Sequence, residues 1–266
     1  MSVDALMIGS RRTKQLERRE AVMRAVIAEG SVRIEDLAQR FGSSLMTLHR
    51  DLDDLESRGI LRKSRGVATA SSTSLVDATY AYRSSRQQSE KSLLVKTALD
   101  YIEPGQSLLL DDSTTVRFIS HFIHGKVPLT AITNSLPLLT DLQGIRGISL
   151  VALGGSFFNP ASAFMGHSTT EQISNIRADV LLMSTPAIVD DMCFHQQQET
   201  VDIKRAMVDS AATKILLVDH TKFEKRAIHG IVHLSVFDLV IVDSFTSPEH
   251  LSRLRGQGIN VVIAAN

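Results

Sequence analysis

Residues 34–68 read IEDLAQRFGSSLMTLHRDLDDLESRGILRKSRGVA. Two helical patterns, a glycine turn between them and a basic, strand-like tail follow one another without a gap. Glu35 and Asp36 fall in the first turn of one helix, where carboxylates complement the positive end of the helix dipole. Leu37, Ala38 and Phe41 supply its buried face. Gly42 permits the left-handed backbone of a sharp turn, and Ser44 is placed to cap the next helix. In that helix Leu45, Leu48, Leu52 and Leu55 recur at helical spacing and form one stripe expected to pack inward. Ser44, Met46, Thr47, His49 and Arg50 stand at its start, off the stripe. Gly59 stops it, and residues 60–69 read as a short hairpin carrying Arg62, Lys63 and Arg65. This succession is the layout of a winged helix-turn-helix. Such a module sets the start of its last helix against base edges in the major groove, and phosphate contacts hold the register.

Working outward, Val22, Ala25, Val26 and Ala28 punctuate charged residues between Leu16 and Glu29, which predicts a leading amphipathic helix ended by Gly30. Arg11, Arg12, Lys14, Arg18 and Arg19 open the module, and the three wing cations close it. Residues 1–70 hold 13 Lys and Arg against 10 Asp and Glu, so a chain of zero net charge is positive at this end. Basic clusters at both ends of a small fold suit a phosphate backbone. Asp51, Asp53, Asp54 and Glu56 would be repelled by phosphates, so that end of the helix is expected to tilt away from DNA or to orient the arginines.

The totals exclude several classes. A hydrophobic content of 43% rules out a disordered chain. No apolar run reaches the roughly 18 residues that span a bilayer. The start, MSVDALMIGSRRTK, lacks the long apolar core of a secretory signal. Cys193 is the only cysteine, so no intrachain disulfide forms and a cytoplasmic setting is expected. His121, His124, His167, His195, His220, His229 and His233 lack metal-ligand spacing, and no metal or other cofactor is expected.

Two small, polar stretches, ATASSTS at 68–74 and SSRQQS at 84–89, read as a flexible connection. The organisation that follows is a DNA-binding domain at 12–69, a linker at 70–90 and a larger domain at 91–266. The larger domain opens with a helix from Lys91 to Tyr101, with Leu93, Leu94, Ala98 and Leu99 inward. Strand-like runs follow at Ser107–Leu110, Leu129–Thr133, Ile148–Leu153, Val180–Met183, Ile215–Val218, Leu239–Val242 and Asn260–Ile263. Short apolar runs alternating with helices predict a mostly parallel sheet covered on both faces. Ligands bind such sheets beyond the carboxyl ends of the strands. There the sequence offers Asp111, Ser113, Thr114 and Thr115, then Asn134 and Ser135, then Gly154 and Gly155, and later Lys204, Asp219 and Lys222. Hydroxyls, free backbone N–H groups and cations together suit an anion such as a phosphate.

Residues 41–68 resemble the N-terminal signature of the DeoR family of bacterial transcriptional regulators. Thr47, Arg50, Asp51, Leu52, Leu55, Glu56, Gly59 and Arg62 match the family pattern, while Ser43, His49, Arg65 and Val67 depart from it. The second half is similar to the family's sensor domain at Asp111–Thr115, Thr133–Ser135, Gly154–Gly155, Gly166, Ile203–Met207, Asp219 and Lys222-Phe223. Ser113 stands where the family has glycine, Phe158 and Asn159 where many members carry a basic residue, and Ser184–His195 has lost the family's glycines. The resemblance implies an α/β chain, a winged helix-turn-helix followed by a sensor domain like the ribose-5-phosphate isomerase and coenzyme A transferase folds. It further implies a homo-oligomeric repressor of a carbohydrate-catabolic operon that binds double-stranded operator DNA, answers to a phosphorylated sugar and is not an enzyme. The competing expectation is a sugar-phosphate isomerase-like enzyme with a DNA-binding appendage, whose general base would come from Asp111, Asp112, Glu199 or Asp219.

Overall fold

The computed structural model of the chain describes residues 15–265 apart from 16, 24, 27, 28, 58, 59 and 71–79. Arg11, Arg12, Lys14, Ala28, Gly59 and the middle of the expected linker lie outside the described residues. The chain divides into two compact units, Met1–Tyr82 and Arg83–Asn266.

In the smaller unit helical residues 17–23 (α1) precede β1 (Ser31–Arg33), α2 (Ile34–Arg40), α3 (Leu45–Ser57), β2 (Leu61–Ser64) and β3 (Val67–Ala70). The strands form an antiparallel sheet in the order β1-β3-β2. Strand β1 is too short to carry a periodic signal. It forms because Ser31, Val32 and Arg33 pair with Thr69, Ala68 and Val67, which are distant in sequence. One core joins all the elements: Val22 and Val26, Leu37, then Leu48, Leu52 and Leu55, closed by Ile60, Leu61 and Ala68. The expected stripe of four leucines is a stripe of three. Leu45 is 47% exposed, because it is the first helical residue and lies a turn ahead of the packed surface.

A short helix, α4 (Tyr80–Ser85), leads to α5 (Gln88–Leu99). Residues 84–89, expected to be flexible, are therefore helical except for a bend at Arg86 and Gln87. The Lys91 ammonium donates to the Arg83 carbonyl and ties the two helices together, a tertiary bond that composition does not reveal.

The seven anticipated strands form one sheet. They are β4 (Ser107–Leu110), β5 (Leu129–Thr133), β6 (Ile148–Ala152), β9 (Ala178–Met183), β12 (Ala211–Val218), β14 (Leu239–Asp243) and β15 (Val261–Ala264). Their order is β15-β14-β12-β9-β4-β5-β6 and every pair is parallel. Side chains alternate between two cores. Leu109, Leu181, Met183, Leu216 and Val240 face one core with Val201, Ile203 and Met207 of α8 (Gln198–Asp209). Leu108, Leu110, Val180, Leu182, Ile215 and Ile241 face the other with Leu94, Val95 and Ala98 of α5 and with Leu138 and Leu142 of α6 (Leu136–Leu142). Strands covered on both faces must be apolar at every position, which is why they read as continuous runs. From β4 the chain moves outward through β5 and β6, then returns to the other flank of β4 with β9. The crevice between the carboxyl ends of β4 and β9 is thus the switch point where doubly wound sheets bind ligands.

Two short antiparallel additions were not legible in the sequence. One is the hairpin of β7 (Ser156–Phe158) and β8 (Ala163–Met165). The other joins β10 (Ala187–Val189), β11 (Met192–His195) and β13 (His229–His233). No described helix is long and apolar enough to cross a membrane.

Candidate functional site

In the smaller unit the start of α3 is built as a protruding polar end. The Ser44 hydroxyl accepts the Thr47 N–H at 3.2 Å, which satisfies one of the free donors at the helix start. Ser44 Oγ and Thr47 Oγ1 also lie 2.9 Å apart. Met46, His49 and Arg50 are exposed, with Met46 the most apolar surface among them. Behind this end the acidic residues are used internally. Asp51 is fully buried and accepts from Arg18 Nε at 2.7 Å and Arg19 Nε at 2.8 Å, and Arg19 also pairs with Asp54 at 3.2 Å. Arg18 and Arg19, expected among the phosphate-holding cations, instead fasten α1 to α3. Lys63 is also turned inward: its ammonium pairs with Asp53 and its N–H donates to Glu56 at 2.7 Å. Arg62 and Arg65 remain exposed on the wing. The wing turn is Arg65-Gly66, with φ of 48° and 77°. Two left-handed residues in succession match the twist of a two-residue hairpin, and Arg65 adopts this conformation without being glycine.

In the larger unit the expected residues converge on the switch point. Asp111, directly after β4, accepts at Oδ1 from the Ser113 N–H (2.9 Å) and at Oδ2 from the Ser184 N–H (2.9 Å) and the Lys204 ammonium. Lys204 also donates to the Ser184 carbonyl at 3.0 Å. One buried ion pair thereby stitches the end of β4 to the end of β9 and to α8. Ser113 does not offer its hydroxyl outward; its Oγ accepts the Val116 N–H at 3.1 Å and closes the loop. Thr114 and Thr115 are buried beside it. Asp112 Oδ1 lies 3.8 Å from Lys204 Nζ and has no hydrogen-bond partner. Asn134 donates to the Phe164 carbonyl at 2.9 Å, which leaves its buried Oδ1 without a partner. A buried polar atom left unpaired costs roughly 1–3 kcal/mol, so these oxygens are open to a hydrogen-bond donor. Ser135 is buried after β5, its N–H held by Thr133 Oγ1 at 3.1 Å.

Of the glycine pair, Gly155 has a packing task that the sequence did not show. A Cβ on Gly155 would meet Thr169 Oγ1 at 2.1 Å and the Met165 carbonyl at 2.6 Å. The Gly154 carbonyl accepts from Thr169 at 2.8 Å. Gly155 is bare so that α7 (His167–Ser174) can pack against the chain after β6, an edge strand, whereas a Cβ on Gly154 would meet nothing within 4 Å.

The structure adds cations that sequence reading passed over. Lys91, read only as a helix start, is 2% exposed and donates to Thr114 Oγ1 at 3.1 Å. Burial, with Lys222, Arg83 and Lys225 nearby, pushes its ammonium down to about 7 against the opposing pull of Asp219. Lys222 pairs with Asp219 at 3.0 Å, and burial lowers it too, with Lys225 and Arg83 adding to the effect. Burial alone would raise Asp219, but Lys222, the Thr221 hydroxyl and Lys91 outweigh it and hold the carboxyl below its ordinary value. Arg83 Nε is buried without a hydrogen-bond partner. Mutually repelling, desolvated cations around a threonine are what a bound anion relieves. The missed signal was positional: Arg83 and Lys91 lie eight residues apart in two helices, and nothing local reveals that the fold brings Lys91 to Thr114 and both cations within electrostatic reach of Lys222.

Of the four carboxylates that an isomerase could use, two are engaged in close ion pairs, and Asp112 keeps its buried Oδ1 without a hydrogen-bond partner. Asp111 and Asp219 are locked in ion pairs, and Glu199 is exposed. Among the described residues no group of His, Cys, Asp or Glu is arranged to hold a metal.

Two family descriptions match the chain: the DeoR C terminal sensor domain over residues 86–244 and the DeoR-like helix-turn-helix domain over residues 18–74. The chain is 26% identical over 232 residues to the glycerol-3-phosphate regulon repressor of Escherichia coli (strain K12), an alignment covering 87% of this chain and 92% of that one. It is 28% identical over 238 residues to the lactose phosphotransferase system repressor of Lactococcus lactis subsp. lactis, covering 88% and 93%. These relatives are repressors rather than enzymes. Among solved structures it is similar to ribose 5-phosphate isomerase from Plasmodium falciparum at 15% identity and a TM-score of 0.37, over 51% of this chain and 52% of that one.

Proposed function

Because the chain belongs to the DeoR family of transcriptional regulators, with helix-turn-helix and sensor domain in order, we propose that it represses a carbohydrate-catabolic operon and releases the operator when a phosphorylated sugar binds. The observation that carries the sensing half is the buried Lys91 on Thr114, with the half-buried Lys222 and Arg83 as neighbouring charges, together with the unpaired oxygens of Asp112 and Asn134. Cations at one end and hydroxyl acceptors at the other match a ligand with a phosphate on a polyhydroxy skeleton. Thr115, Ser135, Asp219 and Lys204 complete the walls, and Asp111 and Ser113 hold the loop in shape. Two curated relatives carry names that refer to glycerol-3-phosphate and to the lactose phosphotransferase system, which supports a sugar-derived signal.

For the DNA half, Ser44, Met46, Thr47, His49 and Arg50 meet the major groove, and Arg62 and Arg65 meet phosphates from the wing. Lys63 joins them only by leaving Asp53. A homo-oligomer presents two such heads to half-sites about 34–36 Å apart or a multiple of that spacing. His49 stands where the family pattern has arginine, and an imidazole does not copy a bidentate guanidinium, so the operator sequence is expected to differ.

A mobility-shift assay with the DNA upstream of the chain's own gene, with and without a panel of sugar phosphates, tests both halves. A retarded band that one phosphorylated sugar abolishes is the expected result. A band that no phosphorylated compound alters would refute the sensing half alone, and no band at all would refute the DNA half.

A further inference from the structure

His195 ends β11 inside the stretch that has lost the family's glycines, and its position in the fold is specific. It is 7% exposed and lies on the same inward face of β11 as Cys193. The neighbouring Phe194 carbonyl accepts from Thr185 Oγ1 at 3.0 Å. Thr185 follows Ser184, whose N–H goes to Asp111 and whose carbonyl takes Lys204. Three residues therefore separate the imidazole from the switch-point ion pair. Its Nδ1 accepts the Gln197 N–H at 3.0 Å, which places the ring proton on Nε2. Among the described residues, no group is hydrogen-bonded to Nε2.

The charges that act on this ring are Lys204 and Arg83, with Asp111 opposing them, whereas those around Lys91 are Lys222, Asp219, Arg83 and Lys225. Their bonds divide the cations in the same way, with Lys204 on Asp111 and the Ser184 carbonyl but Lys91 on Thr114 and Lys222 on Asp219, so the site has two ends. The Lys91–Lys222 end gathers cations for an anion. The Lys204–His195 end holds its cation already paired and offers a neutral N–H. Burial and the nearby cations push the His195 imidazole down to about 3, so it remains an uncharged donor at physiological pH.

We propose that His195 is a specificity-determining residue of the sensor site, donating its Nε2–H to an uncharged oxygen, a hydroxyl or a carbonyl, on the carbon skeleton of the bound phosphorylated sugar. The inference rests on the sensing function proposed above. Where a serine or glycine would leave room, the imidazole fills the skeleton end and demands an acceptor there, which narrows the set of sugars accepted.

The test compares two probes on the full-length protein: inorganic phosphate, and a panel of aldohexose and ketohexose 6-phosphates. In His195→Phe, which keeps the ring volume, binding of the preferred hexose phosphate is expected to weaken at least roughly tenfold, the effect of losing one hydrogen bond of about 1.4 kcal/mol. Inorganic phosphate binding should stay within about twofold, and His195→Gln, which restores an N–H, should recover part of the loss. Equal weakening of both probes, or no change in either, would overturn the proposal. Should His195→Phe fail to fold, the wild-type protein decides through its imidazole nitrogen resonances. The His195 Nε2 signal should move on adding the hexose phosphate and not on adding inorganic phosphate; movement with both, or with neither, overturns it. If the wild type binds no phosphorylated compound, the sensing function itself fails first, and that failure is recognisable without any variant.

Discussion

Single side chains in this protein separate into those that face a partner and those that hold the frame, and the two classes give different experimental signatures. Arg50 is exposed at the start of α3, so Arg50→Ala should weaken operator binding by about 1–3 kcal/mol if it reads a base. Binding assays on operator and unrelated DNA check this; equal losses on both would make Arg50 a phosphate contact only. Lys222→Ala and Lys91→Met should each remove the response to a phosphorylated effector while operator affinity in its absence stays near that of the wild type. Loss of both properties together would mark a folding role. Lys91 also makes a pH prediction. Its folded pKa of about 7 lies below the ordinary lysine value, so between pH 7 and about 10 the unfolded chain binds more protons. The Lys91 contribution therefore makes stability rise with pH through that window, and Lys91→Met should flatten the rise in denaturant titrations.

At the scale of elements, α3 and the wing show how a helix period and a turn type share the work. Leu48, Leu52 and Leu55 anchor α3 in the core, while Leu45 does not. Leu52→Ala should cost about 2–5 kcal/mol and Leu45→Ala no more than about 0.5 kcal/mol, measured by thermal unfolding of the DNA-binding unit. A large loss at Leu45 would mean that the exposed start of α3 is covered in solution. The wing turn sets stability against function. Arg65 holds a left-handed backbone, so Arg65→Gly should stabilise the hairpin by roughly 0.5–1 kcal/mol and still weaken DNA binding through the lost cation. Tighter operator binding in that variant would remove Arg65 from the wing contacts. These elements were largely readable from residues 34–68, because caps, turns and helical stripes are local. The loss of Leu45 from the stripe was not, since periodicity reports direction and not how far the core extends.

For the whole molecule, the effector acts only through its different affinity for the DNA-competent and DNA-released states. At roughly one hundred times its Kd a ligand specific to the native state stabilises the protein by about 2.7 kcal/mol, which a thermal-shift assay detects. A phosphate next to Lys91 should also recharge that ammonium, so binding near pH 8 is expected to take up a proton. Calorimetry in buffers of different ionisation enthalpy would measure it, and an uptake of zero would place the anion away from Lys91. Arg83 is the first cation of the larger unit in sequence and Lys91 follows eight residues later, close to the segment that joins it to the DNA-binding unit. The residues proposed to bind the anion are thus covalently near the connection whose behaviour the effector must change.

The sequence by itself determined the winged helix-turn-helix, the seven parallel strands and most of the loops at their carboxyl ends, because each is encoded by periodicity, caps and turn residues close together in the chain. Tertiary structure alone decided which polar groups share one site. It brought Lys91 to Thr114 with Lys222 and Arg83 as neighbouring charges, gave Gly155 to helix packing, folded Arg18 and Arg19 onto Asp51, and linked His195 through Phe194, Thr185 and Ser184 to the Asp111–Lys204 pair. The physical reason is that charge and hydrogen-bond partnerships depend on distance through space and on burial, and a local pattern of residues specifies neither until the sheet has chosen its strand order.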